Sequence, residues 1–151
     1  MPQSLANVLI HTIFSTKDRA PFLRDADFRR ETHAYMAGVT EKLACKAIKI
    51  GGVDDHMHLL TTLSRTVTIA DFVKETKRAT TAWIQQKGGG LADFHWQRGY
   101  GIFSVSESGR DEVVQYILNQ EDHHRDLDFK DEFRRFCEKH GIEIDERYAW
   151  E

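Results

Sequence analysis

Apolar residues recur along this chain at two spacings, and the order in which the spacings alternate restricts the fold more than any other feature. From Leu5 to Thr16 the spacing is two. Val8, Ile10 and Phe14 fall on one side and Asn7, Leu9, His11 and Ile13 on the other, as in a strand. The polar run Ser15 to Arg19, with Pro21 beyond it, ends the segment. From about Asp27 to Leu43 the spacing becomes helical, through Phe28, Tyr35, Val39 and Leu43. A strand from about Lys46 to Ile50 and another from His56 to Leu63 read as a hairpin, with Gly51-Gly52 and Asp54-Asp55 flanking its tight turn. A second helix starts at Thr68, whose hydroxyl suits an N-cap three residues before Asp71. Its apolar side runs through Ile69, Phe72, Val73, Thr76, Thr80, Trp83 and Ile84, and Gly88-Gly89-Gly90 stops it. A fourth strand spans about Tyr100 to Val105, followed by helices from about Arg110 to His124 and Lys130 to His140.

The order is β-α-β-β-α-β and then helices. That predicts an α+β, ferredoxin-like split arrangement, a four-stranded antiparallel sheet with helices on one face and the other face open to a ligand or partner. One domain over residues 1–151 is expected, with a core of about 5–125 and a helical tail of about 126–151. No apolar run approaches the ~18 residues of a membrane span. Met1 to Ser4 lack the basic start of a secretory leader. Cys45 and Cys137 lie far apart in no ligand spacing and read as free thiols of a reducing compartment. The expectation is therefore a cytoplasmic protein with no membrane partner.

The net charge of −3 argues against a nucleic-acid partner, but its distribution weakens the objection. Residues 1–110 carry 15 basic and 11 acidic side chains, and residues 111–151 carry 6 and 13. The basic part could meet phosphates while the acidic tail is solvated or repels stray nucleic acid.

Two patterns carry chemistry. His56 and His58 stand at i and i+2 on a strand, so both imidazoles face one side, about 6.7 Å apart at Cα. One cation can reach both, while Met57 and Leu59 turn into the core. Asp54 or Asp55 could lend a carboxylate, although such residues more often only make the turn. The second pattern is the helix around Tyr116. Val113, Val114, Ile117 and Leu118 form its apolar side, and Tyr116 falls roughly 130° away. Gln120 is one turn on and His123 continues the stripe. A packing-edge tyrosine would look the same. Tyr35, Tyr100 and Tyr148 lack such polar helical neighbours.

The stretches HTIFSTKDR (11–19), DDHMHLL (54–60), WQRGYGIFSVS (96–106) and YILNQEDHH (116–124) resemble the single-tyrosine HUH transposases, which include the insertion-sequence and REP-associated tyrosine transposases. The resemblance implies a metal-dependent enzyme that cuts and rejoins single-stranded or hairpin DNA, and a homodimer whose active sites are often shared between subunits. It implies that His56 and His58 bind a divalent metal, Mg²⁺ or Mn²⁺, that Gln120 is the third ligand, and that Tyr116 is the nucleophile. Whether Tyr116 serves its own chain's histidines or a partner's stays open in the sequence, as does the metal; an imidazole pair leans away from Mg²⁺.

Candidate DNA contacts are Lys17 and Arg19, at the end of the first strand and thus near the start of the third, and Lys74, Lys77 and Arg78 on the second helix. A solvated turn and a solvated helix face are the plainer readings of these two groups. Trp96 could stack on a base or anchor its loop. A non-cleaving hairpin-DNA-binding relative is the main alternative. A metal-dependent hydrolase is another. An RNA-binding domain of this fold would want aromatic residues where the third strand has His56, His58, Leu60 and Thr62.

Overall fold

A computed structural model of the chain describes residues 2–120 and 127–151. Four strands, β1 (Leu9–Ser15), β2 (Ala47–Gly52), β3 (His56–Thr62) and β4 (Gly101–Val105), form one antiparallel sheet in the order β2-β3-β1-β4. Between them run α1 (Ala26–Lys42) and α2 (Ile69–Gln85), and after them α3 (Arg110–Leu118) and α4 (Phe129–Lys139). This is the α+β, ferredoxin-like order read from the sequence. The caps are local. Asp25 accepts from the Phe28 N–H at 2.9 Å at the start of α1, and Thr68 accepts from the Asp71 N–H at 3.1 Å at the start of α2.

The alternation along β1 and β3 divides two cores. Phe14, Met57 and Leu59 point to the α1/α2 side, where they pack with Met36, Ile84, Phe94 and Trp96. Ile10 joins Phe72 and Val73 on that side. Trp96 donates from Nε1 to Thr80 at 3.0 Å and is 6% exposed, so it anchors its loop and has no face left for a base.

The opposite face is not open. α4 lies over it, and Ile13, Phe103, Phe129, Phe133 and Cys137 make a second core there. The vacant face expected from the sequence is filled because the segment expected as a helical tail is an amphipathic helix that packs on it. Its Phe129, Phe133 and Cys137 spacing is a core-facing stripe, and burying one such phenylalanine stabilises by about 1.5–3 kcal/mol.

One row across the sheet makes room for both helices. Gly51 pairs with His58, His58 with Ile13, and Ile13 with Gly101. A methyl group on Gly51 would stand 2.7 Å from the Ile117 side chain and 3.3 Å from its carbonyl oxygen on α3. One on Gly101 would stand 2.7 Å from the Phe133 ring on α4. The two glycines let α3 and α4 descend on either side of the row that carries His58. Gly51 and Gly52 thus belong to β2, which runs two residues past the predicted Ile50, and they flank a turn made by Val53 to Asp55.

Gly51→Ala is expected to lift α3 off the sheet and to lower stability by roughly 1–3 kcal/mol, the usual cost of overpacking. Urea denaturation measures this through the transition midpoint. A midpoint equal to that of the unchanged chain would show that α3 does not rest on Gly51.

Candidate active site

β3 delivers His56 and His58 to the α3/α4 side, both fully buried. Each ring is tied at one nitrogen. His56 Nδ1 lies 2.7 Å from Asp55 Oδ1, and His58 Nδ1 lies 2.8 Å from Nε2 of His11 on β1. The carboxylate can only accept, so His56 carries a proton on Nδ1. With the His58–His11 pair spoken for, both histidines turn Nε2 to the same spot.

That spot is occupied from α4. Glu132 is 1% exposed. Its Oε1 lies 2.8 Å from His58 Nε2 and 3.2 Å from His56 Nε2. Its Oε2 accepts a hydrogen bond from the Tyr116 hydroxyl of α3 and another, at 3.2 Å, from the Gln120 amide. The amide oxygen of Gln120 lies 3.2 Å from His56 Nε2. Tyr116, Gln120, His56 and His58 therefore converge, as the sequence reading required, and they do so within one chain. The Tyr116 and His58 ring centres are 5.7 Å apart.

Burial would by itself lower the His56 pKa, but hydrogen bonds to Asp55 and Glu132 and their charges outweigh it and raise the value to about 9. His11 is held well below the usual imidazole range by burial and then by His58. Tyr116 is pushed far above the usual phenol value by its partial burial and then by the Glu132 charge.

His56, His58 and Glu132 can each offer one donor atom, all within 4.8 Å of one another, two imidazole nitrogens and a carboxylate oxygen. Such a set fits a divalent cation and suits Mn²⁺ better than Mg²⁺, which prefers oxygen throughout. Glu132 was not found from the sequence. The signal was there, because it lies three residues after Phe129 and four before Phe136, inside the buried stripe of α4. An unpaired charge in that position is rare.

α3 ends at Leu118 with Asn119 as its C-cap, so Gln120 reaches the site from beyond the helix and not along it. His123 lies outside the described residues. Asp55 is neither a bare turn residue nor a ligand; it orients His56. Ser15 pairs with His56, which puts the exposed Lys17 near the site. Arg19 donates to the Trp150 carbonyl at 2.8 Å. The Lys77 ammonium is turned inward and donates to the carbonyls of Gln97 at 2.8 Å and Gly99 at 2.7 Å, which removes it from any phosphate. Burial brings its pKa to about 8. Arg78 pairs with Glu75, and Lys74 is the one of that trio with neither an ion pair nor a side-chain hydrogen bond among the described residues.

A sheet of this order is similar to the fold of the tyrosine transposases. The chain belongs to the family of IS200-like transposases, whose sequence model matches residues 4–120. A crystal structure of a Deinococcus radiodurans R1 protein described as a transposase is 25% identical, with a TM-score of 0.60 over 80% of this chain and 95% of that one. A REP-associated tyrosine transposase bound to a REP hairpin is 16% identical, with a TM-score of 0.57 over 82% of this chain and 74% of that one, a likeness of fold. None of the curated proteins matches. No described helix is long and apolar enough to cross a membrane. Glu132 and the whole of α4 lie beyond the matched span.

In metal-free protein the Tyr116 phenol should remain protonated at pH 10, the ordinary value for tyrosine. The absorbance difference near-ultraviolet between the unchanged chain and Tyr116→Phe isolates this group during a pH titration. Glu132→Gln removes the adjacent charge and should bring ionisation to lower pH. Ionisation at or below the ordinary value in the unchanged chain would mean that the phenol does not face Glu132.

Proposed function

We propose that this transposase cuts and rejoins single-stranded DNA, with Tyr116 as the nucleophile. The observation that carries the reading is the convergence, in one chain, of the Tyr116 hydroxyl with the Nε2 atoms of His56 and His58. A Mg²⁺ or Mn²⁺ ion would be held by His56 and His58 through Nε2, with oxygen from Glu132 and the Gln120 amide. When bound, it would neutralise charge on the scissile phosphate and polarise it.

The residues of the chain do the rest. The phenol oxygen attacks phosphorus in line with the 3′-oxygen, the P–O3′ bond breaks, and a P–O bond to Tyr116 forms. The phenolic proton leaves along its hydrogen bond to Glu132 Oε2, and the released 3′-oxygen takes up a proton. A 5′-phosphotyrosine and a free 3′-hydroxyl result. Another 3′-hydroxyl can reverse the step onto new DNA, because the link to Tyr116 conserves the energy of the phosphodiester. His11 and Asp55 hold the two imidazoles in the tautomer that this arrangement uses. Lys17 and Lys74 are the candidate phosphate contacts with the freest ammonium groups. A homodimer of such chains would carry two complete sites, since each Tyr116 lies beside its own chain's histidines.

Labelled single-stranded hairpin DNA with mixed flanks, incubated with the protein and Mn²⁺, should yield a covalent adduct that survives denaturation and disappears in Tyr116→Phe. Binding with no adduct on any substrate would favour the non-cleaving relative. Cleavage that persists in Tyr116→Phe would favour a hydrolase.

Metal affinity separates the outer residues from a merely structural role. His11→Phe and Asp55→Asn should each weaken Mn²⁺ binding by about 10–100-fold, the usual effect of losing a partner behind a metal-bound histidine. Calorimetric titration of Mn²⁺ into the protein without DNA reads this directly. Unchanged affinity in both variants would remove His56 and His58 as the ligands.

A further inference from the structure

Beside Tyr116 a cleft of about 550 Å³ opens between α3, α4 and the outer strand β4. Its lining includes Glu112 and Tyr116 from α3, His11 from β1, and Glu132, Arg135 and Lys139 from α4, with His140 just after them. Arg135 and Lys139 are one helical turn apart, so their side chains stand together on α4. Both are exposed, and neither makes an ion pair or hydrogen bond among the described residues.

That sets them apart from several arginines of the chain. Arg134, next to Arg135, is clamped by Asp131 and Glu146. Arg30, Arg78, Arg110 and Arg147 each pair with a nearby carboxylate. The segment after residue 110 has a net negative charge, yet in this cleft it presents two cations without an ion pair among the described residues, alongside the phenol. The Arg135 charge is near enough to act on Tyr116 itself.

We infer that this cleft is the path of the DNA strand leaving the Tyr116 site, with Arg135 and Lys139 each holding one of its phosphates. The inference rests on the DNA-cutting reading above and adds to it the route and two contacts on α4. The carboxylate of Glu112, which lines the cleft from α3, keeps a strand toward Arg135 and Lys139 on α4 by repelling its phosphates. His140, also in the lining, stacks on Phe103 with ring centres 4.6 Å apart, which fixes it as a wall and not as a mobile contact.

The test is equilibrium binding of a fluorescent hairpin oligonucleotide with single-stranded flanks, measured over a range of salt in full-length Tyr116→Phe protein so that no covalent product forms. Each phosphate contact to a single strand contributes a salt exponent of about 0.7, so Arg135→Ala with Lys139→Ala should lower the slope by about 1.4 and weaken binding at least about tenfold at 0.1 M salt. The pair Arg135→Lys with Lys139→Arg keeps both charges and should bind nearly as the parent does. The pair Lys42→Ala with Lys46→Ala removes the same charge from residues that do not line the cleft and should leave the slope unchanged.

If the Arg135–Lys139 alanine pair keeps the parent's slope and affinity while the unchanged chain still forms its Tyr116 adduct, the strand runs elsewhere and the inference is overturned, though the cutting reading stands. If the Lys42–Lys46 pair loses as much, bulk charge and not this cleft is responsible, which overturns it equally. If the unchanged chain neither binds nor links to any such DNA, the reading on which it rests has failed first.

Discussion

A carboxylate that is 1% exposed must find its hydrogen bonds inside the protein, and Glu132 finds them on three separate elements. The phenol comes from α3, the amide from the segment after it, and the imidazoles from β3. An unpaired buried charge costs several kcal/mol, so these partners fix where α4 can sit on the sheet as firmly as its phenylalanines do. The same interaction aligns the groups needed for strand transfer. Fold and site therefore depend on one another here. The carboxylate that orders the phenol also faces the two nitrogens that would hold a cation, and each of its oxygens serves one of those tasks.

The approach that makes this possible is steric. Glu132 and Tyr116 can meet over His58 only because the row to which His58 belongs ends in glycine on both sides. Side chains at Gly51 and Gly101 would hold the helices away from the sheet, where neither the phenol nor the carboxylate reaches an imidazole. His11 completes the arrangement from the neighbouring row. Its ring packs edge-on against Phe136 at 5.1 Å and meets His58 on its other side, so an apolar contact on α4 and a hydrogen bond on β3 set its position together.

Much of this was legible in the sequence, and the parts that were not share a cause. The period-two pattern of β1 and β3 sorted His56 and His58 from Met57 and Leu59 without knowledge of any neighbour, because strand geometry is local. The tyrosine's angle from the apolar side of α3 was equally local. Glu132, His11 and the descent of the helices onto Gly51 and Gly101 depend on which elements pack together, and no window along the chain contains that. Glu132 could have been suspected from its place in the α4 stripe. His11 offered less, since a histidine on the inner side of an apolar strand is commonly a satisfied core residue. Lys77 shows the reverse error. Its helical position suggested a basic patch, but the loop carrying Gln97 and Gly99 takes up the ammonium.

The matched span of the family ends at residue 120, while the carboxylate that contacts both histidines and the tyrosine comes after it. Within the matched span this chain carries the strand with two imidazoles and the helix with the phenol. Beyond residue 120, α4 covers the side of the sheet away from α1 and α2, places an acidic oxygen against those groups and lines the adjoining cleft with cations. The acidic balance of residues 111–151 is consistent with that division once the side chains are placed. Glu132 is directed into the site and Asp131 and Glu146 neutralise Arg134, whereas Arg135 and Lys139 are left facing the cleft without a counter-ion among the described residues. Net charge along a segment therefore says little about its affinity for phosphate, because the field at a binding surface is set by the charges that remain unpaired there.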